Sequence, residues 1–178
     1  MFKDARIVVG YHGTRADRAE KIAGTGEFSP SRNDYDWLGH GVYFWEWAPL
    51  RAWQWARNRY GAEAAVVEAH IQLGFCLDLT DIRYTDSLRA AYDGLREAYI
   101  RTGRVLPANR RKARCLDCLV VNYVCGVILG DCETVRAPFL EGDPIYDGSE
   151  LLTQSHIQLV VRNSACIEPG LRALFKEE

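Results

Sequence analysis

Residues 64–73, AAVVEAHIQL, constrain the fold more than any other stretch. Ala65, Val67, Ala69, Ile71 and Leu73 fall on one side, and Glu68, His70 and Gln72 on the other. Successive side chains of a strand point to opposite faces, so this pattern specifies a half-buried strand with one face in a core. Such a strand needs partners, and four further stretches offer them. In ARIVVGY (5–11), Ile7, Val9 and Tyr11 oppose Val8, Gly10 and the following His12. A glycine-led turn runs into a short strand at Val42–Trp45, and another strand is expected near 134–139. The last spans 155–162, where Ile157, Leu159 and Val161 oppose His156, Gln158, Val160 and Arg162.

Helical periods lie between these strands. Thr14 is positioned to cap a short helix, RADRAEKIAG, that stops at glycine. Pro49 suits a first helical turn, after which Ala52, Trp53, Ala56 and Tyr60 share one face until Gly61. Residues 86–100 and 114–127 also carry the 3.6-residue period. Strands and helices mix without strict alternation, which predicts an α+β fold. The 178 residues make one domain, residues 1–178, long enough to bury roughly 70% of the unfolded chain's surface without disulfides. The N-terminal apolar run, Ile7 to Val9, is too short for a signal peptide, and no stretch approaches the ~20 apolar residues of a spanning helix. A cytoplasmic protein with no membrane partner is expected, its six cysteines reduced. Cys115, Cys118 and Cys125 fall on an apolar helix with no histidine among them, so buried thiols are expected there and no metal.

All five tryptophans fall between residues 36 and 56, in DWLGHGVYFWEWAPLRAWQWA. A buried indole N–H needs a partner, so the cluster demands a large core or a flat ligand. Three short motifs flank or face the strands: YHGT at 11–14, GVYF at 41–44 and HIQLVV at 156–161. A glycine after the histidine lets a ligand approach the backbone closely. Tyr43 ends a glycine-led turn, where it can stack on an aromatic ring.

In this order and spacing the motifs resemble the ADP-ribosyltransferases of the poly(ADP-ribose) polymerase and diphtheria-toxin type, from about residue 7 to about residue 161. His12, Gly13 and Thr14 match that family's His-Gly-Ser/Thr. Gly41, Tyr43 and Phe44 match its Gly-x-Tyr-Phe, and Gln158-Leu159-Val160-Val161 stands where a strand opens with the family's glutamate. The resemblance implies two small, mostly antiparallel sheets forming an NAD cleft flanked by helices. His12 would bond the adenosine-side ribose, the Gly13 backbone the nicotinamide carboxamide, and Tyr43 would stack on the nicotinamide ring. The family's second stacking aromatic falls at Gln54, so Trp53 is expected to line the pocket, with Trp55 as substitute, while Trp37, Trp45 and Trp47 pack. Arg51 stands where the family often has serine.

The implied reaction is transfer of ADP-ribose from NAD, the co-substrate, with release of nicotinamide. The ribose becomes oxocarbenium-like, so groups that orient it and favour positive charge lower the barrier. His12, Tyr43 and Gln158 are the catalytic candidates. Gln158 can hydrogen-bond but cannot act as a base; in the family it resembles, loss of that glutamate goes with a single transfer or with an inactive pseudoenzyme. Glu46, Glu141 and Glu150 are the candidates for the missing charge. The acceptor is a nucleic acid, RNA or DNA, or a protein. Residues 101–114 hold Arg101, Arg104, Arg110, Arg111, Lys112 and Arg114 and no acid, a local cationic footprint on a chain of net charge −2. A solvated loop is the plain alternative for that run. By analogy with bacterial relatives, a toxin or phage-defence effector with an antitoxin partner is one setting. An inactive NAD- or ADP-ribose-binding pseudoenzyme and an NAD-dependent RNA 2′-phosphotransferase are the alternatives. His70 is expected on the surface and His40 in a loop, with His156 on the Gln158 face.

Overall fold

A computed structural model describes residues 3–110 and 113–174. Among the described residues, four α-helices, α1 (Ala16–Thr25), α2 (Pro49–Tyr60), α3 (Thr85–Arg101) and α4 (Cys115–Tyr123), accompany nine strands. The strands are β1 (Asp4–Arg15), β2 (Val42–Glu46), β3 (Ala64–Gly74), β4 (Cys76–Asp78), β5 (Asn109–Arg110), β6 (Ala113–Arg114), β7 (Thr134–Phe139), β8 (His156–Val161) and β9 (Arg172–Leu174). The fold is α+β. Seven strands form one mixed sheet in the order β4-β7-β8-β2-β1-β3-β9, in which only β4 and β7 run parallel. β5 and β6 form a separate two-stranded ribbon.

The expectation of two small sheets changes in one respect. β1 and β2 pair at Gly10↔Glu46 and Tyr11↔Trp45, and this short ladder joins what would otherwise be two sheets. On its other side β1 stays paired with β3 as far as Arg15↔Ala64. That long ladder also corrects the start of α1. Thr14 is a buried strand residue opposite Ala65, and the helix begins at Ala16 after Arg15, which makes no side-chain cap bond. The basic run of residues 101–114, for which a solvated loop is the alternative, contains the β5–β6 ribbon; Arg111 and Lys112 lie outside the described residues.

Strand alternation in β8 divides the core into two layers. Val160 packs with Leu77, Val135, Ala137 and the apolar faces of α3 and α4. Leu159 and Val161 pack on the opposite side with Val42, Phe44, Ile71 and Leu73. α2 covers Gly13, where an added Cβ would stand 2.9 Å from the Ala52 carbonyl oxygen and 3.0 Å from the Trp55 ring. Gly13→Ala is therefore expected to destabilise the fold by about 1–3 kcal/mol by pushing α2 off β1, which urea unfolding measures directly. A variant as stable as the parent would show that α2 does not dock this closely.

β2, β4 and β7 are also tied by charge. Arg136 donates to both oxygens of Glu46 (2.8 and 2.7 Å) and to Asp78 (2.8 Å), and Arg6 joins Asp78 at 2.9 Å. Glu46, Asp78 and Arg136 are all buried. Burial raises the Asp78 carboxyl, but hydrogen bonds from Thr80, Arg136 and Arg6 outweigh it and hold the group below its ordinary range. All six cysteines are free thiols. Among the described residues, no helix is long and apolar enough to cross a membrane.

Candidate functional site

The three motif residues lie on three neighbouring strands, β1, β2 and β8. The β1–β2 ladder ends at Tyr11↔Trp45, and His12 Nδ1 then meets the Tyr43 carbonyl oxygen at 2.9 Å. A carbonyl only accepts, so the neutral His12 ring carries its proton on Nδ1 and leaves Nε2 as an acceptor. Phe28 and Phe44 hold the ring, with centroids 5.4 and 5.7 Å away. Burial lowers the His12 pKa, opposed by the bond to Tyr43, so the neutral form prevails at neutral pH.

Tyr43 is fixed at its far end. Its hydroxyl donates to the Gly39 carbonyl (2.8 Å) and accepts from the Leu38 N–H (3.2 Å), and burial raises its pKa. Gly41, just before this strand, leaves room for β8: an added Cβ there would lie 2.5 Å from the Val161 carbonyl oxygen. Gln158 pairs across the sheet with Trp45, and Tyr43 with Val160. Tyr43 and Gln158 are therefore diagonal neighbours on one face, roughly 7–8 Å apart. Gln158 Oε1 accepts a hydrogen bond from the Trp37 indole N–H.

The tryptophans divide differently from expectation. Trp37, expected in simple packing, is the one bonded to Gln158, and it meets Phe139 at a tilt of 55°, with centroids 4.9 Å apart. The long loop before β2 folds back over β8, a contact 121 residues apart that no local pattern records. Trp47, also expected to pack, is 65% exposed and adopts φ +53° in the turn between β2 and α2. Trp45 is buried as expected, 5.5 Å from Trp55 and 6.3 Å from His156. Trp55 is the aromatic that covers Gly13. Trp53 packs in the cluster of Trp45, Ala52 and Val66, apart from the cluster that holds Tyr43.

The candidates for negative charge also separate. Glu46 is taken up by Arg136, and Glu150 is exposed. Glu141 pairs with Arg51, the residue at the family's serine position. His156 adjoins this pair on the Gln158 face. Its Nδ1 bonds the Gln154 carbonyl oxygen at 2.7 Å, so the neutral ring keeps Nε2 unprotonated. Burial lowers its pKa, with the Arg51 charge adding to the effect. Among the described residues, Trp45 Nε1, Arg51 Nε and His156 Nε2 are buried without a hydrogen-bond partner. Native structures satisfy nearly all such atoms, which makes these three exceptions. His40 is held through its N–H to Asn122 (3.0 Å), and His70 is exposed on β3.

The histidines carry a pH prediction. Both are harder to protonate folded than unfolded, so below about pH 6.5 the unfolded chain binds more protons. Stability then falls as pH falls. Urea unfolding between about pH 8 and about pH 5 is expected to show the loss, made shallower by a His12→Gln, His156→Gln double variant. Equal slopes in both proteins would overturn the assignment of buried neutral rings.

No protein-family model matches the chain. Over 122 residues it is 30% identical to an uncharacterized protein of Methanocaldococcus jannaschii, a match covering 64% of this chain and 54% of the relative. The chain thus spans about half the length of the curated relative it matches.

Proposed function

We infer that this chain is an ADP-ribosyltransferase that moves ADP-ribose from NAD to a macromolecular acceptor in a single transfer, releasing nicotinamide. One observation carries the reading: His12, Tyr43 and Gln158 lie on adjacent strands around the point where β1 and β2 part. This arrangement matches the order in which the family's motifs meet NAD. The neutral His12 offers Nε2 as an acceptor for a ribose hydroxyl. Tyr43, locked through its hydroxyl, offers a ring whose position does not depend on the ligand. Gln158 supplies an amide for the second ribose. It stabilises by hydrogen bonding where a glutamate would add charge.

Of the three candidate glutamates, Glu141 is held by Arg51 beside His156, and Asp36 is the acid whose charge reaches Tyr43. Trp45 Nε1, Arg51 Nε and His156 Nε2 are further polar atoms of this region, closed to solvent and without a partner among the described residues. The resemblance to the polymerase and toxin type extends the reading to the ADP-ribosyltransferase fold. A nucleic-acid acceptor accords with the cations of residues 101–114.

A second reading, an NAD-binding pseudoenzyme, is favoured by the bond between Gln158 Oε1 and Trp37, which occupies the oxygen a catalytic residue would present. The two readings part on adenylate-labelled NAD incubated with the protein and a cell extract, followed by separate nuclease and protease digestion. Label released by nuclease and lost with His12→Ala is expected. Label released by protease moves the acceptor to protein. NAD binding without nicotinamide release selects the pseudoenzyme.

A further inference from the structure

A cavity of about 400 Å³ opens between α3, α4 and the loop that carries Trp37. Trp37, Leu88, Tyr92 and Val120 form its walls, giving two aromatic surfaces on an apolar floor. Its size suits a flat small group. Its rim is cationic. Arg89 is exposed at one side, and Arg114 lies at the other, 5.9 Å over the Trp37 ring and 5.8 Å over Phe139. The carboxylate in the wall, Asp117, accepts from Asn109 at 2.8 Å and lies 3.9 Å from Arg114, so it opposes an anion weakly. From Arg114 the cations continue back through Arg110 on the ribbon to Arg104 and Arg101, in a stretch without acids.

An apolar slot with aromatic walls recognises a planar ring through its faces, and the flanking arginines recognise the phosphates on either side of it. An apolar peptide side chain would use the slot but not the guanidiniums, which their exposed carboxylate partners, Asp86 at 3.3 Å from Arg89 and Asp117 at 3.9 Å from Arg114, neutralise only weakly. We propose that this cavity seats a base of a single-stranded nucleic acid, with its phosphates along Arg89 and Arg114. The consequence for catalysis rests on the transferase reading. Trp37 forms the wall of the cavity and also donates to Gln158, so a base bound here is held beside the candidate transfer site. A duplex buries its bases in the stack and cannot offer one without extruding it.

Binding can be measured without NAD, by fluorescence anisotropy of an end-labelled single-stranded RNA, the same DNA sequence, and their duplexes. Single strands are expected to bind more tightly than duplexes. Tyr92→Ala is expected to weaken binding about 10-fold or more through lost stacking. Arg89→Ala is expected to weaken it across sequences and to lower the salt slope by roughly 0.7. Both residues lie at the surface of α3, so either substitution should spare the fold. Arg18→Ala, an exposed change on α1, is expected to bind like the parent. Parent-like affinity in Tyr92→Ala, or an equal loss in Arg18→Ala, overturns the proposal in favour of diffuse attraction. Failure of every oligonucleotide to bind, with label passing to protein in the extract, also overturns it and leaves the transferase reading standing. Site-specific binding in a protein that never consumes NAD would instead overturn the transferase reading alone.

Discussion

On the transferase reading, replacing His12 by alanine is expected to leave the fold standing and to lower nicotinamide release from NAD by about 10²–10³-fold, the loss typical of removing one preorganised hydrogen-bonding group from a reacting centre. The physical reason is the orientation of the ring. Tyr43 fixes Nδ1 from the backbone side, and Phe28 and Phe44 fix the plane, so Nε2 is preorganised as an acceptor. Alanine removes the acceptor and opens a gap between two phenyl rings, at a cost of about 1–2 kcal/mol, within the ordinary range of single substitutions. His12→Gln separates the two effects, since it restores bulk and a hydrogen-bonding group with different geometry. Its stability is expected to approach that of the parent while its NAD turnover stays low. Full nicotinamide release by folded His12→Ala would end the assignment of the NAD cleft to the β1–β2 junction.

Replacing Arg136 by alanine is expected to cost about 3–5 kcal/mol, because it strands the buried Glu46 carboxylate without its cation and leaves Asp78 with only Arg6 and Thr80. For a chain of this size the melting temperature should fall by roughly 6–20 °C. Glu46 lies on β2, Asp78 on β4 and Arg136 on β7, so one guanidinium ties three strands of the main sheet. The depressed Asp78 carboxyl gives this contribution a pH sign. It is present above the carboxyl's unfolded pKa, near 3.9, and is lost as pH falls through the lower folded value. Neutralising the two acids in the same background, as Glu46→Gln and Asp78→Asn with Arg136→Met, should recover much of the loss. Thermal unfolding of the single and triple variants decides the matter. A single variant as stable as the parent would show that solvent reaches the acids.

Much of the scaffold was legible because its cues are local. The alternation in 64–73 fixed β3 and its buried face, and the strand expected at 134–139 has those bounds in the structure. Pro49 and Gly61 bracketed α2 through backbone restrictions that need no tertiary partner. The same local logic failed at Thr14. A threonine before a helical period is a good cap, yet ten residues of β3 ladder extended β1 through it. Long-range pairing outweighed a cap worth about 1 kcal/mol.

The sequence by itself determined the α+β class, the order of the main strands and which residue types each motif places on a strand. Covalent order and side-chain alternation suffice for that. Only the tertiary structure decided which groups meet. It brought Trp37 to Gln158 across 121 residues, gave Glu46 to Arg136 rather than to the candidate site, and placed Glu141 against Arg51. It also turned Trp47 outward and put Trp55, not Trp53, over Gly13. Periodicity specifies the face a residue occupies, while its partner across the sheet depends on how loops close and strands register.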